Sequence, residues 1–159
     1  MVFVGEAVGG LGHAAVIIGN ESEGYKYYSC GSGNNQTTEY SQNSFSNYSS
    51  ALNALQETRK NKGENASYDD GLQAITSSAD DKKAFAWAFS HRNDNYNPLP
   101  TATQNQCMTF AMGVLDAGGV SYTYPESPVY GPFKGCVPND FMRINCFNSN
   151  FIWMKGKLE

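Results

Sequence analysis

The chain has little charge. Asp, Glu, Lys and Arg make up 16% of its 159 residues, against roughly 25% in typical soluble domains, so its water-facing side must be built from Asn, Ser, Gln and Thr. Clusters of Lys and Arg are missing and the formal net charge is -4, which argues against nucleic acid as a partner, because tracking a phosphate backbone requires grouped cations. Long apolar runs are missing too. Ala14 to Ile18 is the longest continuous stretch near the N-terminus, far short of the roughly 20 residues of a membrane span. Met1 to Glu6 carries an acid and no basic residue, so it does not read as a secretory signal and is expected to be the start of a domain cut from a longer protein. There are only two histidines and no C-x-x-C pair, so neither a metal nor another cofactor is expected. The four cysteines, Cys30, Cys107, Cys136 and Cys146, could pair in three ways, but a chain of this length can bury a core without disulfide staples.

An apolar fraction of 40% and an aromatic fraction of 13% can fill that core. Residues 1–159 are read as a single domain, with Leu158 and Glu159 read as a cloning remnant. His13 to Ile18, bounded by Gly12 and Gly19, reads as a buried strand. Gly19 to Gly24 is a turn, and Tyr25 to Ser29 is the returning strand of a hairpin. If Gly19 pairs with Tyr25, Ile17 faces Tyr27, Ala15 faces Ser29, and His13 and Ser29 look the same way. Gly31 to Ser46 is a polar loop. Ser46 to Arg59 places Tyr48, Ala51, Leu52 and Leu55 on one helical stripe, with Ser46 or Asn47 as cap. A second helix is expected from Ser78 to His91, capped by Ser78, with Phe85, Ala88 and Phe89 inside. A third begins near Asn105 and stops at Gly118-Gly119, with Cys107, Phe110, Ala111, Val114 and Leu115 on one stripe. Tyr122 to Pro138 reads as loop, Asn139 to Arg143 as a short helix and Phe147 to Met154 as a closing strand. The fold class expected is α+β: an antiparallel sheet packed against a Cys-bearing helix.

The chemistry concentrates on Cys107. The first turn of a helix offers unpaired N–H groups that favour thiolate, the reactive form of cysteine. The same position also suits a small buried hydrophobe, so a second group must decide. His13, at the edge of a buried strand and beside glycines, can act as base for a thiol, although a lone His there can equally be a satisfied, half-buried ring. His91 ends a helix, where its cation suits the dipole. Ser29 shares the face of His13 and can orient the ring, or simply bond to backbone. Asn105 and Gln106 can offer an amide to an oxyanion, or serve as helix caps.

Gly12-His13-Ala14-Ala15-Val16-Ile17-Ile18-Gly19-Asn20 followed by Gly24-Tyr25-Lys26-Tyr27-Tyr28-Ser29 resembles the opening of toxin-like domains at the C-termini of bacterial RHS-repeat proteins. Tyr68-Asp69-Asp70, Ala74-Ile75-Thr76-Ser77, Asp80 or Asp81, Tyr96-Asn97 and Asn105-Gln106-Cys107 continue the resemblance in the same order, over about two thirds of the chain. Those domains are similar to circularly permuted NlpC-like papain-fold enzymes, the wider group that includes lecithin retinol acyltransferase, in which a His-bearing strand precedes the Cys-bearing helix. The resemblance implies Cys107 as nucleophile, His13 as base and a polar third member at Ser29, with Asn105, Gln106 and Tyr96 near the substrate or oxyanion. The usual third member is His, Asn, Gln or an acid, so Ser29 departs from the pattern, and Gln106 stands where an Asn often precedes the Cys. The activity implied is that of a cysteine peptidase or amidase of a toxin or effector, delivered or secreted, with the periplasm of a target cell favoured. Peptidoglycan peptide is the first substrate class, and an immunity protein the implied partner. An acyltransferase or deamidase would use the same dyad. A protein- or glycan-binding module is the non-catalytic alternative.

Overall fold

A computed structural model describes residues 2–6, 13–31, 38–63, 68, 70–96, 106–124 and 138–154, with the backbone alone for 2–6. In chain order the elements are β1 (Val2–Glu6), β2 (His13–Asn20), β3 (Gly24–Cys30), β4 (Thr38–Tyr40), α1 (Tyr48–Asn61), β5 (Asp70–Ala74), α2 (Ser78–His91), α3 (Cys107–Ala117), α4 (Pro138–Asn145) and β6 (Phe151–Trp153). The class is α+β. The six strands form one antiparallel sheet in the order β4-β3-β2-β1-β5-β6.

Helices cover both faces of its middle. Ala14, Val16 and Ile18 of β2, with Tyr28 and Cys30 of β3, pack with residues of α2, α3 and α4. The alternate residues Ala15, Ile17 and Tyr27 pack with Ala51, Leu52 and Leu55 of α1 and with Tyr68. With no face of β2 left to water, His13 to Ile18 are all buried, which is why the strand reads as one unbroken apolar run after its His.

The hairpin register matches expectation: Gly19 pairs with Tyr25 and Ile17 with Tyr27. Gly19 lies at φ 149, and a Cβ there would stand 2.0 Å from the carbonyl oxygen of Gly24, so the turn closes only around glycine. The Asn20 side chain accepts the N–H groups of Ser22 and Glu23 at 3.0 Å each, an Asx turn that fixes the loop.

Asn47 caps α1 by accepting the N–H of Ser50 at 2.8 Å. The cap of α2 is Ser77, one residue before the Ser78 expected, and its hydroxyl accepts from the N–H of Asp80. The inner stripe of α2 is also displaced. Asp81, Ala84 and Ala88 are buried, while Phe89 is 46% exposed: two alanines let the helix lie close to its neighbours, and the larger Phe89 is left at the rim. The stripe of α3 is as read, with Cys107, Phe110, Ala111, Val114 and Leu115 all buried, but the helix begins at Cys107 rather than Asn105, which lies outside the described residues. Thr38–Tyr40, inside the stretch expected to be loop, forms the edge strand β4. Closing strand β6 is shorter than expected.

Candidate active site

The start of β2 gathers the polar groups of interest. His13 Nε2 lies 2.9 Å from Ser29 Oγ, so the two residues do look the same way, as the register requires. Ser29 is fully buried and His13 is 8% exposed. With Nε2 carrying the proton and donating to Ser29, Nδ1 of the ring keeps a lone pair and can act as a base. Burial, with the Arg59 guanidinium as the lesser cause, holds the imidazole down at a pKa of about 3, so the ring is neutral at pH 7.

Cys107 opens α3 with Gln106 as its N-cap residue. The Gln106 N–H donates to Thr109 Oγ1 at 2.8 Å, tying the first turn. The thiol is 3.8 Å from Gln106 Oε1, which places a side-chain amide beside the sulfur. Burial raises the Cys107 pKa; the backbone N–H groups of Ala14, Met108 and Cys107 donate toward the sulfur and, with the charge of Arg59, oppose that rise. The thiol is therefore protonated at rest.

The Ala14 N–H is the link between the two halves. It brings the sulfur to the residue that follows His13, one peptide unit away. Strand alternation nevertheless sends the Ala14 side chain toward Cys107, and those of His13 and Ser29 to the face of α1. Thiol and imidazole thus lie on opposite faces of the sheet, and among the described residues no hydrogen bond joins them directly.

Tyr96 lies in the same group as Cys107 and Cys30. Its ring lies against Gly31, where a Cβ would stand 2.2 Å from it, and Gly31 has φ 81. Burial first, then the charges that Cys107 and Cys30 would carry as thiolates, raise the Tyr96 pKa, keeping the phenol a hydrogen-bond donor. Cys30 sits nearby on β3, and burial pushes its thiol up to about 12. Cys30, Cys107 and Cys146 are free thiols, and Cys136 lies outside the described residues. His91, the last residue of α2, stacks on Trp87 at 4.0 Å and donates from Nδ1 to the Trp87 carbonyl, away from this site as expected.

Of the sequence candidates, the structure brings His13 and Ser29 into one hydrogen bond on the α1 face, and Cys107, Gln106 and Tyr96 into a second group on the opposite face. The residue missed by sequence reasoning is Arg59, which is 4% exposed and acts electrostatically on both His13 and Cys107. The signal for it was its spacing: Leu52, Leu55 and Arg59 fall at i, i+3 and i+7, the inner stripe of α1. Among the described residues no three His, Cys, Asp or Glu side chains gather as metal ligands would, and no helix is long and apolar enough to cross a membrane. Comparison with known protein families, curated proteins and solved structures finds no significant match to this chain.

Proposed function

We propose that the chain is a cysteine hydrolase of the permuted papain-like, NlpC-like kind, a toxin or effector domain that cleaves an amide bond in a cell-wall peptide of a target cell and is held in check by an immunity protein. The observation that carries this reading is the end of β2: a base bonded to an orienting hydroxyl, with a helix-terminal thiol receiving the N–H of the next residue.

In the proposed reaction His13 Nδ1 removes the thiol proton as Cys107 Sγ bonds to the substrate carbonyl carbon. The oxyanion so formed lies near the Cys107 N–H and the amide of Gln106, with Tyr96 as a further donor. As the C–N bond breaks, His13 returns its proton to the leaving amine, and water, with His13 again as base, hydrolyses the thioester. Both groups start uncharged, so proton transfer accompanies attack instead of preceding it. His13 and Cys107 leave the sheet on opposite faces, so the proposed transfer requires ring and thiol to meet at the strand end, as a catalytic hydrogen bond formed only in the substrate complex would. The full burial of two uncharged groups favours one competing reading, a binding module whose polar core is inert.

The two readings separate on cell-wall fragments digested with wild type and Cys107→Ala. Wild type is expected to give product pairs whose masses sum to substrate plus one water, and Cys107→Ala none. Iodoacetamide labelling of Cys107 is expected to slow roughly tenfold or more in His13→Ala, with Cys30 and Cys146 unaffected. No cleavage by wild type, together with labelling of Cys107 indifferent to His13, overturns the hydrolase.

A further inference from the structure

The sheet face toward α2 and α3 is apolar along β2 and β3, with Ala14, Val16 and Ile18 on one strand and Tyr28 and Cys30 on the other. Lys26 breaks the pattern. It pairs with the core residue Ile18 in the hairpin register and shares the face of Tyr28, so its ammonium must run outward to something polar. Its single hydrogen bond is donated to the Gln42 carbonyl at 3.2 Å, and Nζ stands 5.2 Å from the centre of the Phe85 ring, within cation–π range. Among the described residues no carboxylate forms an ion pair with it. An ammonium carries three donors, so two are left over.

Lys26 borders a cavity of about 350 Å³ between the end of the hairpin and the first turns of α2. The other charges around this cavity are already engaged. Lys82 and Glu23 pair with each other at 2.8 Å. Asp81, only 6% exposed, accepts from the Thr76 hydroxyl at 2.6 Å and from the Asn20 amide at 3.5 Å. Ile18 and the half-buried Phe85 supply apolar wall. Ser44 closes the side, and its place is fixed because the next residue, Phe45, exchanges both backbone hydrogen bonds with Tyr25 at 2.8 Å.

We propose that this cavity binds a small monocarboxylic acid with an apolar or aromatic body. The carboxylate accepts from Lys26 Nζ, and the body lies along Phe85 and over Ile18. Glu23 and Asp81 limit the guest to one negative charge, because their carboxylates repel a second. The volume is near the lower end of the range of about 300 to 1,000 Å³ found for small-molecule sites, so the guest is compact. Ile18 stands four residues beyond Ala14 on β2, about 13 Å along the strand. The site is therefore separate from Cys107 and independent of the hydrolase reading.

The probe is hydrocinnamate, a phenyl ring on a propionate chain, with the corresponding amide as its uncharged counterpart. Each is titrated at pH 7 into the whole chain and followed by calorimetry and by backbone amide NMR. The acid is expected to saturate a single site, about tenfold tighter than the amide, with shifts centred on Lys26 and Phe85. Lys26→Gln should weaken the acid about tenfold and leave the amide as it was, and Lys26→Arg should retain most of the affinity. Equal binding of acid and amide overturns the proposal, as does acid binding indifferent to Lys26→Gln. Shifts centred on Ala14 and Cys107, or no saturable binding of the acid, overturn it as well. The comparison of acid with amide uses the wild-type chain, so it decides the matter even if the Lys26 variants fail to fold.

Discussion

The two faces of the sheet are made of different chemistry. Toward α2, α3 and α4 lie Val16, Ile18, Tyr28, Cys30, Met108, Phe110 and Leu115, aliphatic, aromatic and sulfur groups with few hydrogen bonds to satisfy. Toward α1 the layer starts the same way, with Ile17, Leu52 and Leu55, but at the His13 end it turns polar, and His13, Ser29 and Arg59 are all buried there. Burial therefore acts in opposite senses on the two halves of the candidate site. On the apolar face it keeps the thiols of Cys107 and Cys30 protonated, and on the polar face it keeps the imidazole unprotonated. Low dielectric alone leaves thiol and base neutral, and a fixed charge or a substrate is needed to move the proton between them.

The largest expected effect that tests this contrast is on acid stability. His13 has a folded pKa of about 3 against an ordinary value of 6.5, so between those limits the unfolded chain binds the proton that the native one refuses. Its contribution is fully present above pH 6.5 and is lost as pH falls toward 3, at about 1.4 kcal/mol per pH unit. His13→Gln lacks that proton. Denaturant unfolding from pH 7 to pH 4 is expected to show wild type losing about 3 kcal/mol more than the variant, the acidic residues being common to both. Equal losses would mean that the imidazole is solvated, and the polar face would lose its distinguishing property.

A smaller effect is expected on the other face. Gly31 at φ 81 carries the Tyr96 ring where a Cβ would stand, so Gly31→Ala meets both a left-handed backbone and a displaced aromatic. The expected loss is about 2 kcal/mol, read as a lowered denaturant midpoint, and Tyr96→Ala in the same chain should recover the steric part. Recovery of the whole loss would show that the backbone conformation itself costs nothing.

Much of this arrangement is legible in the residues. The run from His13 to Ile18 bounded by glycines, and a short turn with an Asn, fix the hairpin and its register, which is enough to put His13 and Ser29 on one face. The double glycine after α3 and its apolar stripe fix Cys107 as the first helical residue facing inward. The strands that went unread are those whose identity comes from their partners. Val2–Glu6, Thr38–Tyr40 and Asp70–Ala74 are three to five residues long and two contain a glycine; the first and last are held by a ladder to each other across the chain, and Thr38–Tyr40 is an edge strand defined by its pairing to β3, none of which local pattern carries. Arg59 was unread for a related reason. A cation in the last turn of a helix ordinarily serves the dipole in solvent, and only the packing of Tyr68 makes this one internal. The permuted papain-like arrangement is an expectation carried by residue order and tested by the chemistry above.

Ser29 is where the contrast between the faces predicts the least. A neutral hydroxyl on Nε2 gives the ring orientation without the charge that a carboxylate would supply, which accords with an imidazole that stays unprotonated. In Ser29→Ala the ring keeps its burial and loses one neutral hydrogen bond, worth about 1 kcal/mol of stability, and its pKa should remain far below the ordinary histidine value because burial is the larger cause. Ser29→Asp should do the opposite, pulling the His13 midpoint upward by placing a negative charge 16 residues away in sequence but adjacent in space. NMR titration of the two variants reads both. A His13 midpoint that returns to the ordinary range in Ser29→Ala would mean that the hydroxyl, and not the low dielectric of the α1 face, controls the base, and the comparison of the two faces would have to be redrawn around a single hydrogen bond.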